Sequence, residues 1–98
     1  MKIYKYTVKL QGYTKLMLET SYEEPVFAQS RHDSDISLWF LWDDPDMDED
    51  KKTPNYFRVF ATGEHIPEYA DYKTTVRDGL FIWHVCEIPA ENVPENDR

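Results

Sequence analysis

Residues 80–88 have the sequence LFIWHVCEI, in which only His84 and Glu87 are strongly polar. Alternate residues of a strand point to opposite faces of its sheet, and in this run both faces are largely apolar. The pattern predicts a central strand that is covered on both sides. Pro89 follows and cannot donate a hydrogen bond to a neighbouring strand, so the strand is expected to end there. The side chains that we expect to be mostly buried are Leu80, Phe81, Ile82, Trp83 and Cys86.

Asp78 and Gly79 precede this run and form the strongest hairpin signal in the chain. Asp-Gly is favoured in two-residue hairpin turns because both turn positions need positive φ. The signal predicts that residues 71–77 form a strand paired with residues 80–88. A second run with two apolar faces, ISLWFLW at residues 36–42, is expected to neighbour the final strand.

The first strand is predicted at residues 2–10, where apolar side chains alternate with polar ones and lysines. Lysines along the open face of a strand hinder its pairing with other chains, so we place this strand at or near a sheet edge. Gln11 and Gly12 supply a turn, and a local hairpin with residues 14–19 is expected. Further strands are predicted at residues 26–31 and 55–62.

These patterns give six or seven short antiparallel strands and place the chain in the all-β class. Two strands with apolar faces on both sides cannot be covered by one flat sheet, so we expect a small barrel or a two-layer sandwich. No segment predicts a helix long enough to cover a sheet. We expect a single domain at residues 1–88 and a frayed polar tail at residues 89–98, which contain two prolines.

The composition indicates a folded and acidic protein. Hydrophobic residues make up 41% of the 98 residues and aromatic residues 15%, which is enough for one packed core. The net charge of −8 disfavours binding to nucleic acid or to an anionic membrane, and it favours a basic protein partner. The single cysteine, Cys86, is expected to be a small buried core residue in a reducing compartment. No apolar signal segment is found, which predicts a cytoplasmic protein.

Six acidic residues and no basic residue occur in the segment DDPDMDED at residues 43–50, which we call the acid run. We predict that they form the binding surface for a partner, and the alternative is that they only keep the domain soluble. Their spacing resembles the start of a calcium loop, but Glu49 and Asn55 occupy the positions that need glycine and glutamate. No metal site and no cofactor are therefore predicted. The predicted binding residues are Asp43, Asp44, Asp46, Asp48, Glu49 and Asp50.

Few groups in the sequence suit catalysis. His84 and Cys86 share a strand face, but one such pair is a weak zinc signal, and a core histidine held by one hydrogen bond explains His84 more simply. His65 lies beside Glu64 and Glu68 in a turn, where a neighbouring carboxylate can hold it. The sequence has no nucleophile motif and no glycine-rich phosphate loop, so no enzymatic activity is predicted.

Four segments carry a resemblance to a known family: MKIYKY at residues 1–6, LWDDP at residues 41–45, FRVFATGEHIPE at residues 57–68 and FIWHVCE at residues 81–87. Together they resemble a family of small uncharacterised proteins found mainly in bacteriophages and prophages. The resemblance covers nearly the whole chain in matching order. It implies a phage origin and expression in the bacterial cytoplasm, but no activity, because the family has none assigned. The acid run departs from the family pattern.

The charge pattern and this resemblance predict a non-enzymatic interaction protein encoded by a phage. It is expected to be an acidic module that binds a basic surface of a bacterial host protein and can inhibit that protein. Two alternatives stay open. One is a self-assembling structural or accessory phage protein whose exposed aromatic strands form the interface. The other is a binder of a small molecule or nucleotide, with a pocket between two sheets.

Overall fold

A computed structural model describes residues 2–19, 25–31, 35–42 and 52–98 of the chain. The described residues form seven β-strands, and each of the predicted strands is present with bounds shifted by one to three residues. The strands are β1 Lys2–Lys9, β2 Tyr13–Glu19, β3 Phe27–Arg31, β4 Asp35–Trp42, β5 Lys52–Ala61, β6 Asp71–Asp78 and β7 Phe81–Ile88.

The strands form two antiparallel sheets, and neither sheet closes into a barrel. One sheet has the strand order β1-β4-β3 and the other has the order β2-β5-β7-β6. The all-β prediction is confirmed, and of the two architectures that were expected, the two-layer one is present. β1 lies at a sheet edge and β7 inside a sheet, as predicted.

The predicted hairpin between the first two strands is wrong. β1 pairs with β4 in one sheet, whereas β2 pairs with β5 in the other. The chain crosses between the sheets at Gly12, whose φ is 76°, and the Lys9 backbone N–H donates to Thr14 Oγ1 over 2.9 Å at this corner. The crossing lets Val8 and Leu18 enter one core from opposite sides. A turn signal marks a reversal of the chain, but it does not fix whether the flanking strands pair.

β4 and β7 are not neighbours, which corrects a second prediction. Each is an internal strand of its own sheet, and Leu38 of β4 and Val85 of β7 belong to the same buried cluster between the sheets. A strand with two apolar faces needs cover above and below, and each sheet covers the inner face of the other. Burying one such apolar side chain contributes about 1.5–3 kcal/mol. The members of this inner core are Val8, Leu16, Leu18, Ile36, Leu38, Phe40, Phe57, Val59, Val76 and Val85.

The outer face of the four-stranded sheet is covered by residues 89–98. Val93 is only 1% exposed and packs against Phe60, Cys86 and Ile88 in a second buried cluster. Short 3-10 turns at Ala90–Asn92 and Glu95–Asp97 shape the segment, and Arg98 Nε donates to the Val93 carbonyl over 2.8 Å. The expectation of a frayed tail is therefore wrong, because one apolar residue anchors an otherwise polar segment. This segment covers the outer face of the four-stranded sheet, for which the sequence predicted no covering helix.

The turn between β6 and β7 lies one residue later than predicted. Asp78 pairs with Phe81, so Gly79 and Leu80 are the two turn residues. Gly79 has a φ of 59°, in the left-handed region that glycine adopts without strain. Leu80 is consequently outside the strand and is 96% exposed.

Burial along β7 is less complete than the apolar pattern predicts. Cys86 is fully buried, Ile82 and Trp83 are half-buried, but Phe81 is 60% exposed. The predicted burial is thus wrong for Phe81 as well as for Leu80. Alternation assigns a side chain to a face of the sheet, but its depth depends on where the opposing sheet ends. The described part of the chain contains no helix long and apolar enough to cross a membrane.

Candidate functional site

The outer face of the three-stranded sheet carries exposed apolar side chains. The register places Ile3 opposite Leu41, and it places Trp39 between Lys5 and Phe27. Ile3 is 60% exposed and Phe27 is 57% exposed, while Trp39 and Leu41 are half-buried. We call Ile3, Phe27, Trp39 and Leu41 the outer apolar patch.

Strand alternation and ring contacts arrange this patch. Phe40, between Trp39 and Leu41, points into the core and is 2% exposed, so its two neighbours point outward. The Phe27 and Trp39 ring centroids are 5.3 Å apart at an interplanar angle of 53°. Lys5 Nζ lies 5.8 Å from the centroid of the Trp39 ring, a cation–π distance worth about 0.5–1 kcal/mol at an exposed site. Phe27 and Trp39 are thus in contact, and the register places Ile3 and Leu41 on the same face of the sheet.

The acid run lies outside the described residues, so the structure does not place its side chains. The described residues on either side of the run are Trp42 and Lys52. The backbone of Trp42 pairs with that of Lys2, directly beside the pair of Ile3 and Leu41. Trp42, the last described residue before the run, therefore lies at one end of the sheet that carries the outer apolar patch. The predicted residues concerned are Asp43, Asp44, Asp46, Asp48, Glu49 and Asp50.

His84 is held by hydroxyl groups on the outer face of the four-stranded sheet. Its Nε2 is 3.0 Å from Thr62 Oγ1, and its Nδ1 is 3.0 Å from Thr75 Oγ1. The Tyr72 hydroxyl continues the chain, 2.6 Å from Thr75 Oγ1. Two hydrogen bonds engage the ring, where one was expected. In the described residues no group of three or more His, Cys, Asp or Glu side chains could hold a metal ion.

The other candidate groups are held in structural contacts. Burial raises the pKa of the Cys86 thiol, and the charge of Asp71 raises this pKa further, so the reactive thiolate is disfavoured. Glu64, one of the carboxylates beside His65, pairs with Arg58 at 3.5 Å and accepts a hydrogen bond from the Ala61 N–H over 3.1 Å. Glu64 thus closes the turn after β5.

A cleft of about 830 Å³ opens at one end of the two-layer structure. Phe81 and Trp83 of β7 lie on one side, and Lys9 and Asp35 lie where β1 ends and β4 begins. The sequence offered a pocket between two sheets as an alternative but did not identify its residues, because the walls of the cleft come from the ends of strands in both sheets. The available signal was that β7 stays apolar up to Phe81, while β1 becomes polar at Lys9.

Comparisons with known proteins identify a family without an assigned activity. No curated protein and no solved structure matches the chain. The model of one family, described as Domain of unknown function (DUF7352), matches residues 1–96 of the 98 residues. The match supports the expected membership of an uncharacterised family and carries no information on phage origin. Since it covers almost the whole sequence, the chain belongs to the DUF7352 family of domains of unknown function.

Proposed function

We propose that this protein is a non-enzymatic interaction module, encoded by a phage or prophage, that acts in the cytoplasm of the bacterial host. Its partner is a host protein with an apolar contact surface and basic residues beside it. The observation that carries the proposal is the outer apolar patch, which lies in the same sheet as Trp42, the residue that precedes the acid run in the sequence. By occupying a basic surface, the module can inhibit the protein to which it binds.

The patch has the side-chain composition of an interface centre. Contiguous exposed apolar side chains on a protein surface mark sites of interaction, and aromatic residues are enriched among those that dominate binding energy. Phe27 and Trp39 supply two such rings, and their mutual contact limits the rotamer freedom that binding would otherwise remove. Ile3 extends the apolar surface toward the end of the sheet at which the backbone of Trp42 pairs with that of Lys2.

The acid run supplies the charge that selects the partner. Six carboxylates in eight residues attract a basic surface and accelerate its approach, whereas they repel phosphate backbones. Charges at the rim of an interface act mainly on the association rate, and apolar anchors at its centre act mainly on dissociation. Mutations in the acid run should therefore change the association rate, and mutations in the outer apolar patch should change the dissociation rate.

The outer apolar patch also favours a second candidate function, self-assembly. Two copies can bury the same patch against each other around a two-fold axis. A net charge of −8 on each copy opposes such a contact at low salt. A homodimer should consequently form more readily as salt rises, whereas binding to a basic partner should weaken.

The test begins with affinity capture of a partner from host extract, followed by purification of that partner and kinetic measurement of binding. We expect the association rate to fall as salt rises from about 50 to 500 mM, because the Debye length shrinks from roughly 14 to 4 Å. An acid-run variant carrying Asp46→Asn, Asp48→Asn, Glu49→Gln and Asp50→Asn should lose most of this salt dependence. A Phe27→Ser variant should dissociate faster.

The matched control for Phe27→Ser is Phe81→Ser, because Phe81 is similarly exposed but lies in the other sheet. Phe81→Ser should bind the partner as the parent does. Unchanged kinetics in both the acid-run and the Phe27→Ser variants would disprove the proposal. Light scattering that shows a dimer at high salt, abolished by Phe27→Ser, would support self-assembly in its place.

A further inference from the structure

The cleft exists because β7 of the four-stranded sheet extends past the last residue pair of the three-stranded sheet. The inner face of β7 carries Val85, Trp83 and Phe81 in succession, and they are buried, half-buried and 60% exposed. The opposing strands end at the pair of Lys9 and Asp35. The apolar face of β7 therefore continues beyond its cover, and the uncovered part forms one wall of the cleft.

This wall is a flat aromatic surface. The ring centroids of Phe81 and Trp83 are 5.8 Å apart, and their planes differ by 12°, which is an offset-stacked arrangement. Stacking on Trp83 holds the Phe81 ring, although much of it faces solvent. An exposed ring with a fixed orientation is a platform on which a planar molecule can stack.

The charges that line the cleft balance one another. Lys9 and Arg58 supply two cations, and Asp35 and Glu64 supply two carboxylates, so their formal sum is zero. Arg58 is already paired with Glu64 at 3.5 Å, and the Arg58 guanidinium carbon lies 4.9 Å from the Phe60 ring centroid. A phosphate group would find no uncompensated pair of cations here, and the net charge of the chain would repel it.

Trp83 also has an unused hydrogen-bond donor. Its Nε1 is buried and has no hydrogen-bond partner among the residues that the structure describes. Because a buried atom is out of reach of a molecule in the cleft, this N–H is a reporter of changes in the wall and not a contact for a ligand.

We propose that the cleft binds an uncharged planar aromatic ring, stacked on the exposed ring of Phe81. The volume of about 830 Å³ lies within the usual range of roughly 300–1,000 Å³ for small-molecule sites. The site lies at the Asp35 end of β4, whereas the outer apolar patch lies around Trp39 and Leu41 of that strand. It is thus separate from the surface proposed to bind a protein.

The test follows the indole N–H resonance of Trp83 in ¹⁵N-labelled protein, assigned with a Trp83→Phe variant. Adenosine and cytidine are added up to about 5 mM, which detects binding energies near −4 kcal/mol, and riboflavin is the third probe, added up to its solubility limit. We expect at least one probe to shift this resonance saturably. Adenosine monophosphate should bind more weakly than adenosine, because its phosphate is disfavoured in this cleft.

Phe81→Leu removes the stacking platform from an exposed position. Stacking on an aromatic side chain contributes about 1–3 kcal/mol per base, so affinity for the bound probe should fall about tenfold. Phe27→Leu is the matched control and should leave probe binding unchanged. Loss of probe binding in Phe81→Leu, with partner binding retained, would separate this site from the interaction surface.

Three outcomes would overturn the proposal. One is that none of the three probes shifts the Trp83 resonance. A second is that adenosine monophosphate binds more tightly than adenosine, which would indicate a site for anions. A third is that the probes fail while Phe81→Leu weakens binding of the protein partner, which would make the cleft a receptor for a side chain of that partner.

Discussion

The chemistry of the Cys86 thiol is set by the side chains that bury it. It is fully buried in the outer cluster of the four-stranded sheet, next to Val93 of the C-terminal segment. Burial disfavours the charged thiolate and raises the pKa of the thiol, and the nearby charge of Asp71 acts in the same direction. A thiol in this state is a core group, as the sequence predicted from its apolar surroundings.

The raised pKa of Cys86 predicts a dependence of stability on pH. The folded state holds the thiol proton more tightly than the unfolded state, where the pKa is about 8.5. The stabilisation is complete below that value and is lost as pH rises through the higher pKa of the folded state. A Cys86→Ala variant lacks this titration, so its deficit in unfolding free energy should shrink between about pH 8 and pH 10.

Urea denaturation of both proteins across this pH range measures the difference. Other groups titrate identically in the two chains and cancel in the comparison. The loss cannot exceed about 1.4 kcal/mol per pH unit, because one proton is involved. A deficit that stays constant with pH would contradict a raised thiol pKa.

The apolar pattern of residues 80–88 predicted burial correctly at some positions and wrongly at others. Cys86 and Trp83 occupy the faces that alternation assigned, and Cys86 is buried as expected. Leu80 and Phe81 share the apolar pattern, yet the first is a turn residue and the second passes the end of the opposing sheet. A hydrophobic side chain favours burial, but its exposure in this segment is set by the lengths of strands elsewhere in the chain.

At the level of elements, the C-terminal segment acts as the cover of a sheet although it is neither helix nor strand. Its two 3-10 turns bring Val93 over Phe60 and Ile88. Without this cover those two side chains would face water, at an expected cost of about 1.5–3 kcal/mol for each fully exposed side chain. The segment is therefore expected to be part of the cooperative fold.

Val93→Ala tests this expectation. Removing two methyl groups from a buried position should lower the unfolding free energy by about 1–2 kcal/mol. Val26→Ala makes the same chemical change at a residue that is 56% exposed, and its effect should stay within about 0.5 kcal/mol. Chemical denaturation of the three proteins provides the measurement. Equal effects at both positions would show that the segment contributes nothing to stability.

The sequence predicted the elements better than their partners. Alternation located the strands, because each has at least one face whose side chains share a character. It did not reveal that β1 pairs with β4 instead of β2, since Gly12 permits both a hairpin and a corner. Val93 gave no periodic signal, because one buried residue in a polar segment has no repeat to detect. Pairing and cover depend on tertiary contacts, which local patterns do not contain.

For the whole molecule, the order in which strands enter the sheets governs how it folds. The chain places β1 in one sheet and β2 in the other, then returns for β3 and β4 before completing the second sheet. Contacts between residues far apart in sequence dominate such a topology, and closing long loops slows folding. The cleft also depends on this topology, because strand ends from both sheets form its walls. Of the candidate sites, only the acid run had its residues named from the sequence.

This topology predicts folding in milliseconds to seconds, the range of two-state proteins with mostly non-local strand pairs. Stopped-flow dilution from urea, followed by tryptophan fluorescence, measures the rate. The tryptophan signal should change with the main phase, because the inner neighbours of Trp83, one of its three sources, come from both sheets. A main phase faster than about 1 ms would show that a local unit, such as the β6–β7 hairpin, folds without the rest.

Because the chain crosses between the sheets at Gly12, cleavage of the chain after β4 would separate β2 from the other strands of its sheet. A chain cleaved between Trp42 and Lys52 yields one fragment with β1 to β4 and another with β5 to β7. The first fragment holds the entire three-stranded sheet together with β2, whose partner β5 lies in the second fragment. Reassociation would restore the edge of the second sheet by strand addition and rebuild the shared core. The two fragments thus have the properties of a complementation pair, with β2 as the strand that joins them.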